Sequence, residues 1–275
     1  MRLGGPLFEP YLDPDDWVAA LKRSGYRAAY CPEINDSYTP KDFAIAARTA
    51  DILIAEVGVW NNPLSRDDTA RKEAIRVCQD KLSLADEIGA ACCVNIAGSR
   101  GSKWDGPHPD DLTPETFDLI VDTVRVIIDA VKPKHTFYTL ETMPWMYPDS
   151  TESYLRLVNA IDRPSFAVHF DPVNLICSPQ RYFNHTALIG EFIAVLGPRI
   201  KSVHAKDIIL RDHLTTHLDE VCPGLGELNY RNLLRELNHL DANLPLMVEH
   251  LPGEDEYKQA TAYIRSVAAE IDVRL

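Results

Sequence analysis

The chain has 275 residues, 45% of them hydrophobic and 25% charged, a composition that can bury a sizeable core. Its 28 basic residues against 41 acidic ones give a net charge of −13, which argues against a nucleic-acid or anionic-membrane surface. The opening Met1-Arg2-Leu3-Gly4-Gly5 is too short in apolar character for a signal peptide, and no run reaches the roughly 18–20 apolar residues of a membrane span, so a cytoplasmic location is expected by default.

Strand-like and helix-like segments alternate along the chain. Residues 2–5 read as a first strand and 14–24 as a helix. Strand 26–31 precedes helix 40–50, and strand 52–59 precedes helix 67–88. In that long helix Ala74, Ile75, Cys78, Leu82, Ala85 and Ile88 share one face, and Gly89 supplies the stop. Strand 91–96 follows. Thr113 and Pro114 then give an N-cap with proline at the first helical position. Behind them Phe117, Ile120, Val121, Val124, Ile128 and Val131 recur at steps of three and four, predicting a helix over 114–132. Strands 136–141, 166–171, 200–205 and 245–250 alternate with helices 150–161, 184–196, 229–239 and 255–271. The last helix carries Ala260, Ile264, Val267, Ala268 and Ile271 on one stripe, as an outer-ring helix should. Eight alternations without a linker or low-complexity tract predict an α/β fold: one closed (β/α)8 barrel domain over residues 1–275.

Three connections after strands are long and polar: Trp60 to Arg66, Ala97 to Leu112, and Lys206 to Leu228. In a barrel they belong to the carboxyl-end face, where reacting groups collect. The six cysteines form no C-x-x-C pair and are expected as buried or semi-buried thiols in a reducing compartment.

Four residues stand at the ends of four successive strand-like runs. Glu141 closes Phe-Tyr-Thr-Leu-Glu, Asp171 closes Ala-Val-His-Phe-Asp, His204 lies in Lys-Ser-Val-His-Ala-Lys-Asp, and Glu249 lies in Leu-Met-Val-Glu-His. They are 30, 33 and 45 residues apart, about one β-plus-α unit per step. All four should therefore meet at one barrel mouth. Two Glu, one Asp and one His make an oxygen-rich site for one divalent ion, with Mn²⁺ preferred and Mg²⁺, Co²⁺ or Zn²⁺ compatible. Taken singly, each would equally suit a capping or salt-bridged barrel residue.

These runs resemble the sugar phosphate isomerase/epimerase group of xylose-isomerase-like TIM barrels, which includes ketose 3-epimerases and inosose dehydratases. The resemblance implies that Glu141, Asp171, His204 and Glu249 hold the metal. The run His204-Ala205-Lys206-Asp207 is similar to the His-x-Lys-Asp of inosose dehydratase-like members. Ketose 3-epimerases carry a His three positions after the strand-six Asp. Here that position is Asn174, which takes up no proton at neutral pH.

The chemistry expected of such a site is proton abstraction beside a carbonyl, through an enediolate, on a sugar or keto-sugar. A Lewis-acid ion spreads the developing charge, and Glu141 and Glu249 are the candidate bases. Return of the proton gives an isomer or epimer; loss of a β-substituent gives elimination. A lyase acting on a keto-cyclitol or a 3-keto-glycoside is thus the second reading. A hydrolytic, endonuclease-IV-like reading lacks the extra His ligands and the basic groove, and a purely structural metal leaves the paired glutamates idle.

His169 shares the face of Asp171 two residues on, so it is expected as a catalytic group that contacts substrate or supports a ligand, or else as a satisfied core histidine. Lys206 shares the face of His204 and is expected to stabilise an oxyanion or to pair with a buried carboxylate. His250 should face away from Glu249. Glu56 is expected to line the pocket or to form a core salt bridge. Trp60, Trp104 and Trp145 are candidates for sugar stacking, with loop packing as the plainer alternative. Few basic residues fall near the mouth (Arg100, Lys103, Lys206 and Arg211), which favours a neutral sugar over a sugar phosphate. Gly224-Leu225-Gly226-Glu227 lacks phosphate-loop spacing and reads as a turn. The expected partner is a small-molecule carbohydrate, with association into a homo-oligomer left open.

Overall fold

The computed structural model describes residues 1–275. Ten strands are present: β1 Arg2–Gly5, β2 Ala28–Tyr30, β3 Leu53–Gly58, β4 Cys92–Asn95, β5 Tyr138–Glu141, β6 Phe166–Phe170, β7 Ile200–Ala205, β8 Asp207–Leu210, β9 Leu218–Val221 and β10 Pro245–Val248. Eight of them close a parallel barrel in the order β1-β10-β7-β6-β5-β4-β3-β2. The helices are α1 Pro14–Arg23, α2 Pro40–Thr49, α3 Asp68–Ile88, α4 Pro114–Val131, α5 Thr151–Ile161, α6 Pro179–Phe183, α7 His185–Leu196, α8 Tyr230–Asn238 and α9 Glu254–Glu270. No helix is long and apolar enough to cross a membrane.

The local signals act where the chain predicts them. Asp67 caps α3, accepting from the Ala70 N–H at 2.7 Å. Gly89 ends α3 in the left-handed conformation at φ 74°. Thr113 caps α4 ahead of Pro114, which stands at the start of the helix and needs no N–H partner. Barrel strands are covered on both faces, so they read as continuous apolar runs. Every residue of β4, β5, β6 and β10 is buried. One core cluster of 65 buried residues joins the barrel wall to the inner stripes of the helices.

Three features depart from expectation. The connection Lys206–Leu228 is not only loop: β8 and β9 form an antiparallel hairpin outside the barrel order. Its exposed strand Leu218-Asp219-Glu220-Val221 carries too much charge to show a strand pattern. Helix 184–196 is preceded by the short α6, which Ser178 caps and Pro179 starts. Cys177 is exposed, because it lies in the loop between β6 and α6; the other cysteines are buried or partly so.

Tyr154 of α5 links the helix layer to the carboxyl end of the barrel strands. Its ring is fully buried. Its hydroxyl lies 2.5 Å from the Leu140 carbonyl and 3.1 Å from that of Ala167, and it accepts the His169 N–H at 3.1 Å. These are β5 and β6 backbone groups one to four residues short of Glu141 and Asp171. Tyr154→Phe strips buried backbone groups of their partner and should lower stability by about 1–3 kcal/mol in urea unfolding. An unchanged midpoint would show that the hydroxyl does not tie the two strands.

Candidate metal centre

Each candidate ligand is aimed by its own backbone. Glu141 is the last residue of β5, and His204 the penultimate residue of β7. Asp171 follows β6 directly and Glu249 follows β10. Thr142 fixes Asp171: its Oγ1 donates to the Asp171 carbonyl at 2.8 Å and accepts the Asp171 N–H at 3.0 Å. The Asp171 Oδ1 accepts the N–H groups of Val173 and Asn174 at 2.9 and 3.0 Å. This turn commits one carboxylate oxygen and leaves Oδ2 facing the centre of the mouth.

Glu141, Asp171, His204 and Glu249 converge, each offering one ligand atom, with all four atoms within 4.8 Å of one another. His204 Nδ1 lies 2.8 Å from Glu249 Oε1, 3.1 Å from Glu141 Oε1 and 3.8 Å from Asp171 Oδ2. Lys206 Nζ is 2.8 Å from Asp171 Oδ2 and 2.7 Å from Glu249 Oε1. Those two oxygens nonetheless lack a well-angled hydrogen bond. Lys206 therefore pairs with them by charge, and their lone pairs stay directed at the centre. Two buried carboxylate oxygens with no hydrogen bond, beside a third carboxylate and an imidazole nitrogen, fit a hard or borderline divalent ion.

The electrostatics follow from burial. For Glu141, burial raises the carboxyl above its ordinary range. For Glu249, burial also pushes upward, but the charges of His204 and Lys206 outweigh it and hold the group down at about 2. The charge of Glu249 adds to the upward push on Glu141, whereas Glu249 has Lys206 at 2.7 Å, nearer than the 3.8 Å from Lys206 to Glu141. Burial lowers both Lys206 and His204, yet the carboxylates around them raise both well above their ordinary values. Asn174 Nδ2 donates to Glu141 Oε1 at 3.0 Å, so this position orients a glutamate through a neutral amide.

A cavity of about 600 Å³ opens above these residues. Glu141, Glu249, Lys206 and Asn174 lie at its base; Trp60, Trp104 and Trp145 line its walls. Trp60 takes a left-handed φ of 53°. Gly58 makes room for its indole: a Cβ there would stand 2.2 Å from Trp60 Nε1. Sequence reasoning missed Tyr30, Met143, Glu220 and Tyr257, which also line the cavity. Tyr30 was accessible to the same strand-end logic, since it ends β2.

Four other residues are placed as follows. His169 is fully buried and does not line the cavity; its Nε2 lies 2.9 Å from Glu56 Oε1. Glu56 is likewise buried beneath the mouth, in the core ion pair rather than on the pocket wall. His250 does not face away. The chain leaves β10 at Val248 and turns through φ 59° at His250, which lines the cavity with Nδ1 3.3 Å from Glu220 and Nε2 3.8 Å from Glu249. Arg211 is paired with Asp219 on the hairpin, away from the cavity.

Asp207 of the His204-Ala205-Lys206-Asp207 run anchors that hairpin. Its buried carboxylate accepts the N–H groups of Ile208, Gly224, Gly226 and Leu228 at 2.8–3.1 Å. Gly226 is required by this approach, because a Cβ would stand 2.3 Å from Asp207 Oδ1. The turn 224–227 thus wraps a carboxylate of the chain itself. Asp207→Ala leaves these donors without an acceptor and should cost about 1.5–3 kcal/mol. Hydrogen exchange should speed up across residues 208–228 and stay slow in the barrel strands. Uniform exchange with the natural chain would remove the anchor.

Residues 18–267 match the sequence profile described as xylose isomerase-like TIM barrel. No curated protein matches the chain in sequence. Among solved structures it is similar to the probable 3-DHS dehydratase AsbF of Bacillus anthracis, at 16% identity and a TM-score of 0.70, covering 94% of this chain and 95% of that one. It is also similar to D-psicose 3-epimerase of Clostridium cellulolyticum H10, solved with D-tagatose, at 15% identity and 0.67, covering 97% and 99%. A third is a xylose isomerase-like TIM barrel protein of Mycobacterium smegmatis in complex with magnesium, at 16% and 0.64, covering 94% and 90%. At these identities the likeness is one of fold. With 18–267 matched and the barrel closed in the expected order, the chain belongs to the xylose isomerase-like TIM barrel family.

Proposed function

We propose that the protein is a divalent-metal-dependent enzyme that removes a proton beside the carbonyl of a sugar or keto-sugar, as an isomerase or epimerase. The observation that carries this reading is the convergence of Glu141, Asp171, His204 and Glu249, of which Glu141 and Glu249 line a cavity that three tryptophans also line. Mn²⁺ suits the three carboxylates and one imidazole, and Mg²⁺, Co²⁺ and Zn²⁺ are compatible with them. A divalent ion held there supplies Lewis-acid polarisation of a carbonyl.

The remaining roles fall to side chains. Glu141 and Glu249 project from separate strands and each has a second carboxylate oxygen for proton transfer. Lys206 sits beside both and would neutralise an oxyanion as it forms. Asn174 holds the orientation of Glu141. The tryptophans present apolar faces suited to sugar C–H surfaces. Lys103 and Lys206, the lysines that line the cavity, are already paired, Lys103 with Asp105 at 3.2 Å. This supports a neutral substrate over a phosphorylated one.

A lyase on the same site is the second reading. It is favoured by Asn174, which stands where the ketose 3-epimerase pattern has a histidine and offers no titratable proton. The likeness to AsbF, a probable 3-DHS dehydratase, points the same way. Proton abstraction by a glutamate is common to both readings.

Protein purified without chelator should carry about one divalent ion per chain, and exhaustive EDTA treatment should abolish activity that Mn²⁺ restores. Activity that survives complete metal removal would sink the assignment. Glu141→Gln and Glu249→Gln keep size and remove the base, so each should lose at least about 10²–10⁴-fold in turnover. Product formed from a keto-sugar in D₂O should carry solvent deuterium. Full-rate turnover without deuterium would point instead to a hydride shift.

A further inference from the structure

Beneath the mouth lies a second polar tier, closed off from solvent. Glu56 of β3, His169 of β6, and Ser202 and His204 of β7 meet across the barrel interior, each at most 1% exposed. Glu56 Oε1 lies 2.9 Å from His169 Nε2 and accepts the Ser202 hydroxyl. Its other oxygen, Oε2, lies 3.4 Å from His204 Nε2. His204 is thus the one side chain shared by the two tiers. Its Nδ1 points up at Glu141, Asp171 and Glu249, and its Nε2 points down at Glu56.

A buried carboxylate is retained in a barrel core only where donors satisfy it. Glu56 has three donors, and two of them hold Oε1. Its remaining oxygen is therefore fixed in direction by the barrel rather than free to follow His204. For His204 Nδ1 to give a lone pair to a cation, the ring proton must sit on Nε2. An acceptor fixed at Nε2 selects that tautomer and sets the tilt of the ring. Tautomers follow from such networks: the hydrogen-bond partner of Nε2 is the Glu56 carboxylate, which accepts and does not donate, and although carboxylates also face Nδ1, a cation held there takes the Nδ1 lone pair and leaves the ring proton to Glu56.

We propose that Glu56 is a positioning residue for the metal centre, holding His204 as the Nε2–H tautomer with Nδ1 directed at the cation, and that His169 and Ser202 act through it by anchoring its other oxygen. The proposal rests on the metal reading given above. It assigns His169 no contact with substrate, in keeping with its absence from the cavity wall. Glu56 alters neither ligand number nor charge at the mouth. It makes one of the four donors ready before the ion arrives.

The test is Mn²⁺ binding to the full chain by equilibrium dialysis, with no substrate present. Loss of an outer partner of a ligating histidine typically costs 10–100-fold in metal affinity. Glu56→Gln, isosteric and uncharged, should raise the Mn²⁺ dissociation constant by about that factor, with stoichiometry still one ion per chain. In the Mg²⁺ form, ¹⁵N–¹H spectra of the His204 ring should show the proton on Nε2 in the natural chain and a mixed or inverted pattern in the variant. Should Glu56→Gln not fold, Ser202→Ala removes one anchor and should weaken Mn²⁺ binding in the same direction by a smaller factor. Unchanged affinity in a folded Glu56→Gln, or a proton on Nδ1 in the natural Mg²⁺ form, overturns the proposal and leaves the metal site standing. A natural chain that binds two Mn²⁺ and loses one on Glu56→Gln also overturns it, making the lower tier a ligand set in its own right. A natural chain that binds no Mn²⁺ removes the metal reading itself.

Discussion

Like charge confined at the closed floor of a barrel governs this molecule. Glu141, Asp171 and Glu249 bring three carboxylates to one point, and Glu56 adds a fourth just below. Bare carboxylates in such surroundings are expensive, and their mutual repulsion grows as water is excluded. Lys206 is the buried cation the chain supplies among them, and both Lys206 and the His204 ring lie against more than one carboxylate. Much of the surrounding design serves this one problem. Thr142 and the turn after Asp171 occupy the aspartate's spare hydrogen-bonding capacity, Asn174 steadies Glu141 without adding charge, and Tyr154 stiffens the two strand ends that carry these groups.

Much of this was legible in the sequence because a barrel repeats one unit. Spacing close to a β-plus-α step, with a ligand-type residue at each strand end, located Glu141, Asp171, His204 and Glu249 before any coordinate. What stayed hidden has physical causes. Period-two alternation says that Glu56 and His169 point inward but not how deep each sits, so pocket wall and sealed core looked alike. Alternation also misplaced His250, because it presumes a continuing strand and the backbone goes left-handed at that residue. The hairpin escaped notice because β9 is exposed and charge-rich, leaving no apolar pattern to betray it. Asp207 looked like a member of a catalytic run, yet its partners are amides up to 21 residues away, which no local pattern encodes.

The mouth is built from segments of unequal freedom. The four acidic and imidazole groups stand on or directly beside strands of the closed barrel, which suits groups that must hold a geometry. The aromatic walls come from loops that are tied to one another by side chains: Trp145 Nε1 to the Asp105 carbonyl, Tyr147 to the Leu112 carbonyl, Asn62 Nδ2 to the Ser99 carbonyl, Arg100 to the Leu64 carbonyl and Arg66 to Asp110. Trp60 and His250 adopt backbone conformations that cost energy for residues with a side chain, and both border the cavity. Two of the six non-glycine residues with a left-handed φ thus border the cavity, and none lies within the barrel strands.

The Asp207 anchor has an evolutionary consequence. Because one carboxylate gathers both the first residue of β8 and the returning turn, everything between them is a closed excursion whose ends are set independently of its contents. The tip at residues 211–217 packs little against the barrel, and Leu214 is 98% exposed. Insertions, deletions or charge changes there would leave His204, three residues before the anchor, in register. A lineage can thus vary the tip of this hairpin piecemeal while inheriting the strand end at its base intact.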